Sequence, residues 1–193
     1  MALFNVLNAP SPKAWLEAVI GNFDEFLIDH ASAERKASAV ALSIVAHYPD
    51  RIKLVEEMTD LALEELNHYR QVIKLMLKRG LIPSADEKDP YVNAILGHFN
   101  RGPEQYFLDR LLTAALIEAR GAERFELISE NLEDPELATF YRTLSQSEQN
   151  HYHLFIHLAN HYFPESEVTS RWQEWLDIEV TIMNGLAIRP RLH

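Results

Sequence analysis

Cysteine is absent from the 193-residue chain, which excludes disulfides, thiolate metal sites and cysteine nucleophiles and suits a reducing cytoplasm. Any bound metal must therefore be held by oxygen and nitrogen. Glycine is scarce, at six residues, and nowhere do apolar and polar residues alternate as in a strand, so the composition points to an all-α chain. No apolar run approaches the roughly 20 residues that span a bilayer, and the amino terminus lacks the basic start and apolar core of a signal peptide. A soluble cytoplasmic protein without membrane contact is expected. Cations are the minority charge, 18 Lys and Arg against 29 Asp and Glu, for a net charge of −11. That balance excludes a generally basic nucleic-acid-binding surface, although a local basic patch can persist within an acidic total.

Hydrophobic residues make up 47% of the chain, enough to bury one sizeable core, so residues 1–193 are expected to form a single domain. Ser11-Pro12 reads as an N-cap and first helical position of a short helix that Gly21-Asn22 interrupts. Asp24 is the expected start of a long helix that Pro49 stops. Asp50 is the expected cap of a second, ending at Gly80. A charged crossover follows, with a short helix at "YVNAILGHF". Pro103 opens a third long helix to about Asn131, and Asp134-Pro135 opens a fourth to Tyr162. A last amphipathic helix runs from about Glu167 to Leu186. Two hairpins joined by a long crossover is the connectivity of a ferritin-like four-helix bundle, with its core at about residues 23–162 and extra terminal helices.

Two near-identical strings carry the chemistry. "EELNHYRQV" contains Glu65-x-x-His68 and "SEQNHYHLF" contains Glu148-x-x-His151. In the second long helix the inward stripe runs Leu54, Met58, Leu61, Glu65, His68, Val72, Leu75. In the fourth it runs Leu137, Tyr141, Leu144, Glu148, His151, Phe155, Leu158. Each of the other two helices sets one carboxylate in such a stripe, Glu34 among Leu27, His30, Ala37, Ala41 and Ile44, and Glu118 among Leu111, Ala115, Ala122 and Phe125. A carboxylate buried without a counter-charge costs several kcal/mol, of order, so four in one core require cations. One Glu from each of two helices plus Glu-x-x-His from the other two is the ligand set of a dinuclear metal site. Register agrees: the two Glu-x-x-His motifs lie 83 residues apart (148 − 65) and the lone glutamates 84 (118 − 34).

Glu123, about 140° round the helix from Glu118 at ~100° per residue, is expected to face outward, and Glu64 and Glu126 read as solvated charges. His30 is expected to support Glu34 rather than to be a ligand. Tyr69 and Tyr152 are expected to pack, and Trp172 and Trp175 to dock the last helix. Carboxylate and imidazole ligands leave the metal open. Iron storage, or peroxide removal at a dimanganese site, therefore remain alternatives to oxygen chemistry.

The strings "LIDHASAERKA", "LALEELNHYRQV", "IEARGAERF" and "DPELATFYRTLSQSEQNHY" together resemble the bacterial tRNA hydroxylase family MiaE, from about Pro10 to His161. The resemblance implies a non-haem diiron monooxygenase that hydroxylates the isopentenyl group of a 2-methylthio-isopentenyladenosine in tRNA. It implies two iron ions, dioxygen as co-substrate, an external electron donor, and Glu34, Glu65, His68, Glu118, Glu148 and His151 as metal ligands. Arg110, Arg171 and Lys78 are the foremost candidates for phosphate contacts, with Lys74, Arg79, Arg101, Arg189 and Arg191 behind them.

Overall fold

A computed structural model describes residues 6–193, and all regular structure among them is helical. The order is α1 (Lys13–Gly21), α2 (Phe23–His47), α3 (Ile52–Lys78), α4 (Pro90–Leu96), α5 (Pro103–Asn131), α6 (Pro135–Tyr162) and α7 (Glu165–Gly185). The chain divides into two compact units, one holding the α2–α3 hairpin with residues 189–192, the other holding α1, α4, the α5–α6 hairpin, α7 and His193.

In the first unit, α2 and α3 pack along their lengths through Leu27, Ala41 and Ile44 on one helix and Leu54, Met58 and Val72 on the other, all at 1% exposure or less. Met76, not Leu75, completes the α3 stripe, because the 3.6-residue period drifts by that point. Past Arg79, the Gly80 N–H donates to Leu77 O (3.1 Å) and the Leu81 N–H to Met76 O (2.9 Å). This six-to-one pair needs a left-handed residue, and Gly80 supplies it at φ 73°. Two expected caps differ. Asn22 rather than Asp24 precedes α2, and Arg51 rather than Asp50 precedes α3, neither with a side-chain capping bond.

In the second unit, Asp134 caps α6 by accepting from Glu136 N (2.9 Å) and Leu137 N (3.3 Å), with Pro135 in the first turn. Asp89 caps α4 likewise, accepting from Tyr91 N and Val92 N. Ser11 does not cap α1. Its N–H and hydroxyl both donate to the Glu123 carboxylate, at 2.7 and 2.6 Å. Helix α7 packs against α4, α5 and α6 with Trp175 fully buried and Trp172 half-buried, the docking role expected of them. Among the described residues, no helix is long and apolar enough to cross a membrane.

Candidate metal centre

Each hairpin brings two carboxylates and one imidazole together. In the first, Glu34 of α2 meets Glu65 and His68 of α3. Nδ1 of His68 lies 3.7 Å from Glu34 Oε2 and 3.4 Å from Glu65 Oε2, and all three residues are buried. In the second, Glu118 of α5 meets Glu148 and His151 of α6, with His151 Nδ1 3.6 Å from Glu118 Oε2 and 3.9 Å from Glu148 Oε2. Within each triad the ligand atoms lie within 4.8 Å of one another. The Glu-x-x-His spacing does this because residues three apart share a helix face.

One hydroxyl in each hairpin fixes the register. Ser38, four residues after Glu34, donates to the carbonyl of Ala62, three before Glu65, at 2.8 Å. In the other hairpin the roles are exchanged: Ser145, three before Glu148, donates to the carbonyl of Ala122, four after Glu118, also at 2.8 Å. Corresponding positions are thus bound one turn from the ligands in both. The triads differ at two places. His30 donates from Nε2 to Glu34 Oε1 at 2.6 Å, the supporting role expected of it, whereas the corresponding residue of the second hairpin is Ala114. Gly121 corresponds to Ala37, and a Cβ built on it would sit 3.6 Å from Glu148 Oε2.

Electrostatics show what the first triad demands. Burial alone would lower the His68 pKa, but its hydrogen bonds to Glu34 and Glu65 prevail and hold it at about 10. Burial would likewise raise Glu34, yet bonds to His30 and His68 keep it far below the carboxylate range. Two carboxylates thus keep a cation between them, in the simplest case the imidazolium proton. A divalent metal bound by oxygen and nitrogen satisfies the same charge demand with a fitting donor set.

Glu123 corrects the outward expectation. It is 7% exposed and belongs to a second buried charge cluster, in which Arg120, at 0% exposure, donates from Nη1 to Glu123 Oε2 (2.9 Å) and from Nε to Glu179 Oε1 (2.8 Å). Tyr91 donates to Glu179 (3.2 Å), and Arg124 donates to Ser11 Oγ (3.0 Å) over the Trp15 ring. The 140° rotation that turns Glu123 from Glu118 is correct, but α1, α7 and the N-terminal segment cover that face. A signal was present: Glu179 sits between Trp175, Leu176 and Ile182 in an apolar stripe, as the candidate ligands do.

Of the basic residues, Arg171 is engaged within the fold. It donates to both oxygens of fully buried Asp109 (2.6 and 3.0 Å), to Glu174 and to His98 O, over the Trp175 ring. A buried Asp109 needs that counter-charge. Arg79 is paired with Asp24 and Arg191 with Glu25. Lys74 and Lys78 are exposed, and Arg110 is half-buried.

Over residues 1–193 the chain matches the family described as tRNA-(MS[2]IO[6]A)-hydroxylase (MiaE). The chain belongs to this family. It is 36% identical over 162 residues to the tRNA 2-(methylsulfanyl)-N(6)-isopentenyladenosine(37) hydroxylase of Pseudomonas putida, covering 84% of this chain and 78% of that protein. It is 25% identical to the Salmonella typhimurium protein of the same name, covering 94% and 84%. Among solved structures it resembles a Synechococcus protein named for aldehyde deformylating oxygenase activity, at 34% identity and a TM-score of 0.92 over 97% of this chain and 94% of that one. The fold class is the expected one, all-helical and ferritin-like.

Proposed function

We propose that this MiaE-family protein is an oxygen-activating hydroxylase, acting as one domain on the isopentenyl group of a 2-methylthio-isopentenyladenosine in tRNA. Glu34, Glu65, His68, Glu118, Glu148 and His151 hold two iron ions. The observation that carries the reading is the duplicated carboxylate–carboxylate–imidazole triad, buried and in equivalent register in both hairpins of a chain whose relatives are named for this reaction. Hydroxylation breaks one C–H bond, places one atom of dioxygen there and sends the other to water with two electrons and two protons. Bound iron would supply that redox chemistry, and the electrons come from an external donor, since the chain shows no flavin or nicotinamide signature. The residues supply the setting. His30 orients Glu34, and Ser38 and Ser145 keep the ligand turns aligned. A tRNA substrate and the absence of a spanning helix agree with the cytoplasm as its place.

A second reading rests on the 34% identity to the protein named for aldehyde deformylating oxygenase activity, and would make a free aldehyde the substrate. Mass spectrometry of tRNA nucleosides from cells lacking the gene, and from the same cells given the parent or Glu65→Ala chain, separates the two. The hydroxylated nucleoside should vanish on deletion, return with the parent and stay absent with Glu65→Ala, whose metal content should fall below two per chain. A hydroxylated nucleoside that persists in the deleted cells refutes the tRNA reading. Conversion of a free aldehyde by the purified protein would then establish the second.

A further inference from the structure

We infer that the outer face of the C-terminal third of α3 receives the phosphate backbone of the tRNA, through Arg70, Lys74 and Lys78. This deepens the proposed function and rests on it. The three residues are all exposed, and they recur every four residues on one side of α3. Successive cations are therefore separated by about 6 Å along the helix axis and about 40° around it, an almost straight line roughly 12 Å long. Arg70 follows His68 by two residues, about 200° round, so the line shares a helix with the ligands while facing away from them.

The line is unneutralised in a chain where cations are outnumbered. From Leu66 to Ala85 the sequence has no Asp or Glu, and no acidic residue stands three or four positions from any of the three. Five residues of the same unit show the contrast: Arg35 pairs with Asp86, Arg79 with Asp24, Arg191 with Glu25 and Asp29, and Lys36 donates to the carbonyl of Glu87, while Arg51 lies over the Tyr48 ring. Among the described residues, Arg70, Lys74 and Lys78 form no such pair. The helix macrodipole favours cations only within the last turn, which accounts for Lys78 but not for Arg70, two turns earlier. A regular line of free cations fits a linear polyanion, and phosphate contacts of this kind set position rather than sequence. Exposed Leu66 and Leu77 beside the line would also suit an acidic protein, and the experiment distinguishes the two.

The test compares the parent, the triple variant Arg70→Gln/Lys74→Gln/Lys78→Gln, and a control triple, Lys53→Gln/Lys88→Gln/Arg142→Gln, that removes the same charge elsewhere. Gln keeps helix propensity. Binding of tRNA purified from cells lacking the enzyme is followed from 50 to 200 mM salt, with turnover of that tRNA and of the free 2-methylthio-isopentenyladenosine nucleoside. Each lost phosphate contact lowers the slope of log affinity against log salt by about 0.7 to 0.9, so the triple variant's slope should fall by about 2 to 3. The parent should thus lose about 20- to 40-fold more affinity over that range than the variant. Turnover of the free nucleoside and the control triple's slope should match the parent. A triple variant that binds and turns over tRNA as the parent does overturns this surface, and is the outcome if an acidic protein docks there. A parent that neither binds nor hydroxylates tRNA overturns the function reading and this inference with it.

Discussion

Replacing Glu179 should unfold the protein at a markedly lower temperature, although the residue belongs to neither triad. Its carboxylate is 0% exposed and bonds Arg120 at 2.8 Å and the Tyr91 hydroxyl at 3.2 Å. Four charges share that interior, Arg120 and Arg124 against Glu123 and Glu179, and they sum to zero. Burial first, then the like charge of Arg120, lowers the Arg124 pKa to about 10. Glu179→Ala leaves one positive charge uncompensated and a buried hydroxyl without its acceptor. Breaking a buried pair from one side costs about 3–5 kcal/mol, and the lost neutral hydrogen bond about 1 more. At about 2–4 °C per kcal/mol for a chain this long, the midpoint should fall by roughly 8–24 °C in a thermal melt followed by circular dichroism. The double variant Arg120→Met/Glu179→Met removes both charges and should recover most of that loss. A shift under about 3 °C for Glu179→Ala, or a double variant no better than the single, would refute the account of this cluster as a balanced charge pair.

Two further outcomes test other parts of the structure. Gly121→Ala should keep full metal content, because its Cβ meets Glu148 Oε2 at an ordinary 3.6 Å, while Gly121→Leu should displace that carboxylate and lower metal content; equal metal in both would show that the space beside Glu148 is not needed. Burial opposes ionisation of Asp89, but His193 and the Tyr91 and Val92 N–H groups outweigh it and hold its pKa at about 2 against 3.8 unfolded. The stability this confers, about 2 kcal/mol, is complete above the unfolded pKa and lost as pH falls toward 2. Denaturant melts of the parent and Asp89→Asn should therefore differ at pH 6 and converge near pH 2, and a constant difference would contradict the assignment.

The helices and both triads were legible because each is specified locally. Asp134-Pro135 and Gly80 mark helix ends by their own backbone chemistry, and Glu-x-x-His needs only the helical period to converge on one face. The errors arose where a second element settles the outcome. Glu123 is an ordinary surface glutamate on α5 taken alone, and becomes buried because Ser11 and Arg120 bind it under α1 and α7. Arg171 reads as a free cation until Asp109, 62 residues away, claims it. The rule that a carboxylate in an apolar stripe needs a cation is met at Glu179 by Arg120. What sequence alone did not supply was which cation, since Glu179 obeys the same rule and is answered by an arginine.

An acidic total charge and a polyanionic substrate are compatible if the acids restrict where the substrate can sit. Helix α3 shows this on a single face. Glu56, Asp60 and Glu64 are exposed at four-residue spacing along its first half, and Arg70, Lys74 and Lys78 continue on the same side along its second. A phosphate chain laid on the first half meets like charge at each step, and on the second half it meets opposite charge. Like-charge juxtaposition costs enough to suppress wrong docking, so on the proposed surface the acidic majority would act on register rather than on affinity. A uniformly basic surface would hold tRNA in many orientations, most of them with the modified base far from the ligands. One short cationic line flanked by acids would allow fewer, and only contacts that hold the base at the ligands in the transition state raise the rate.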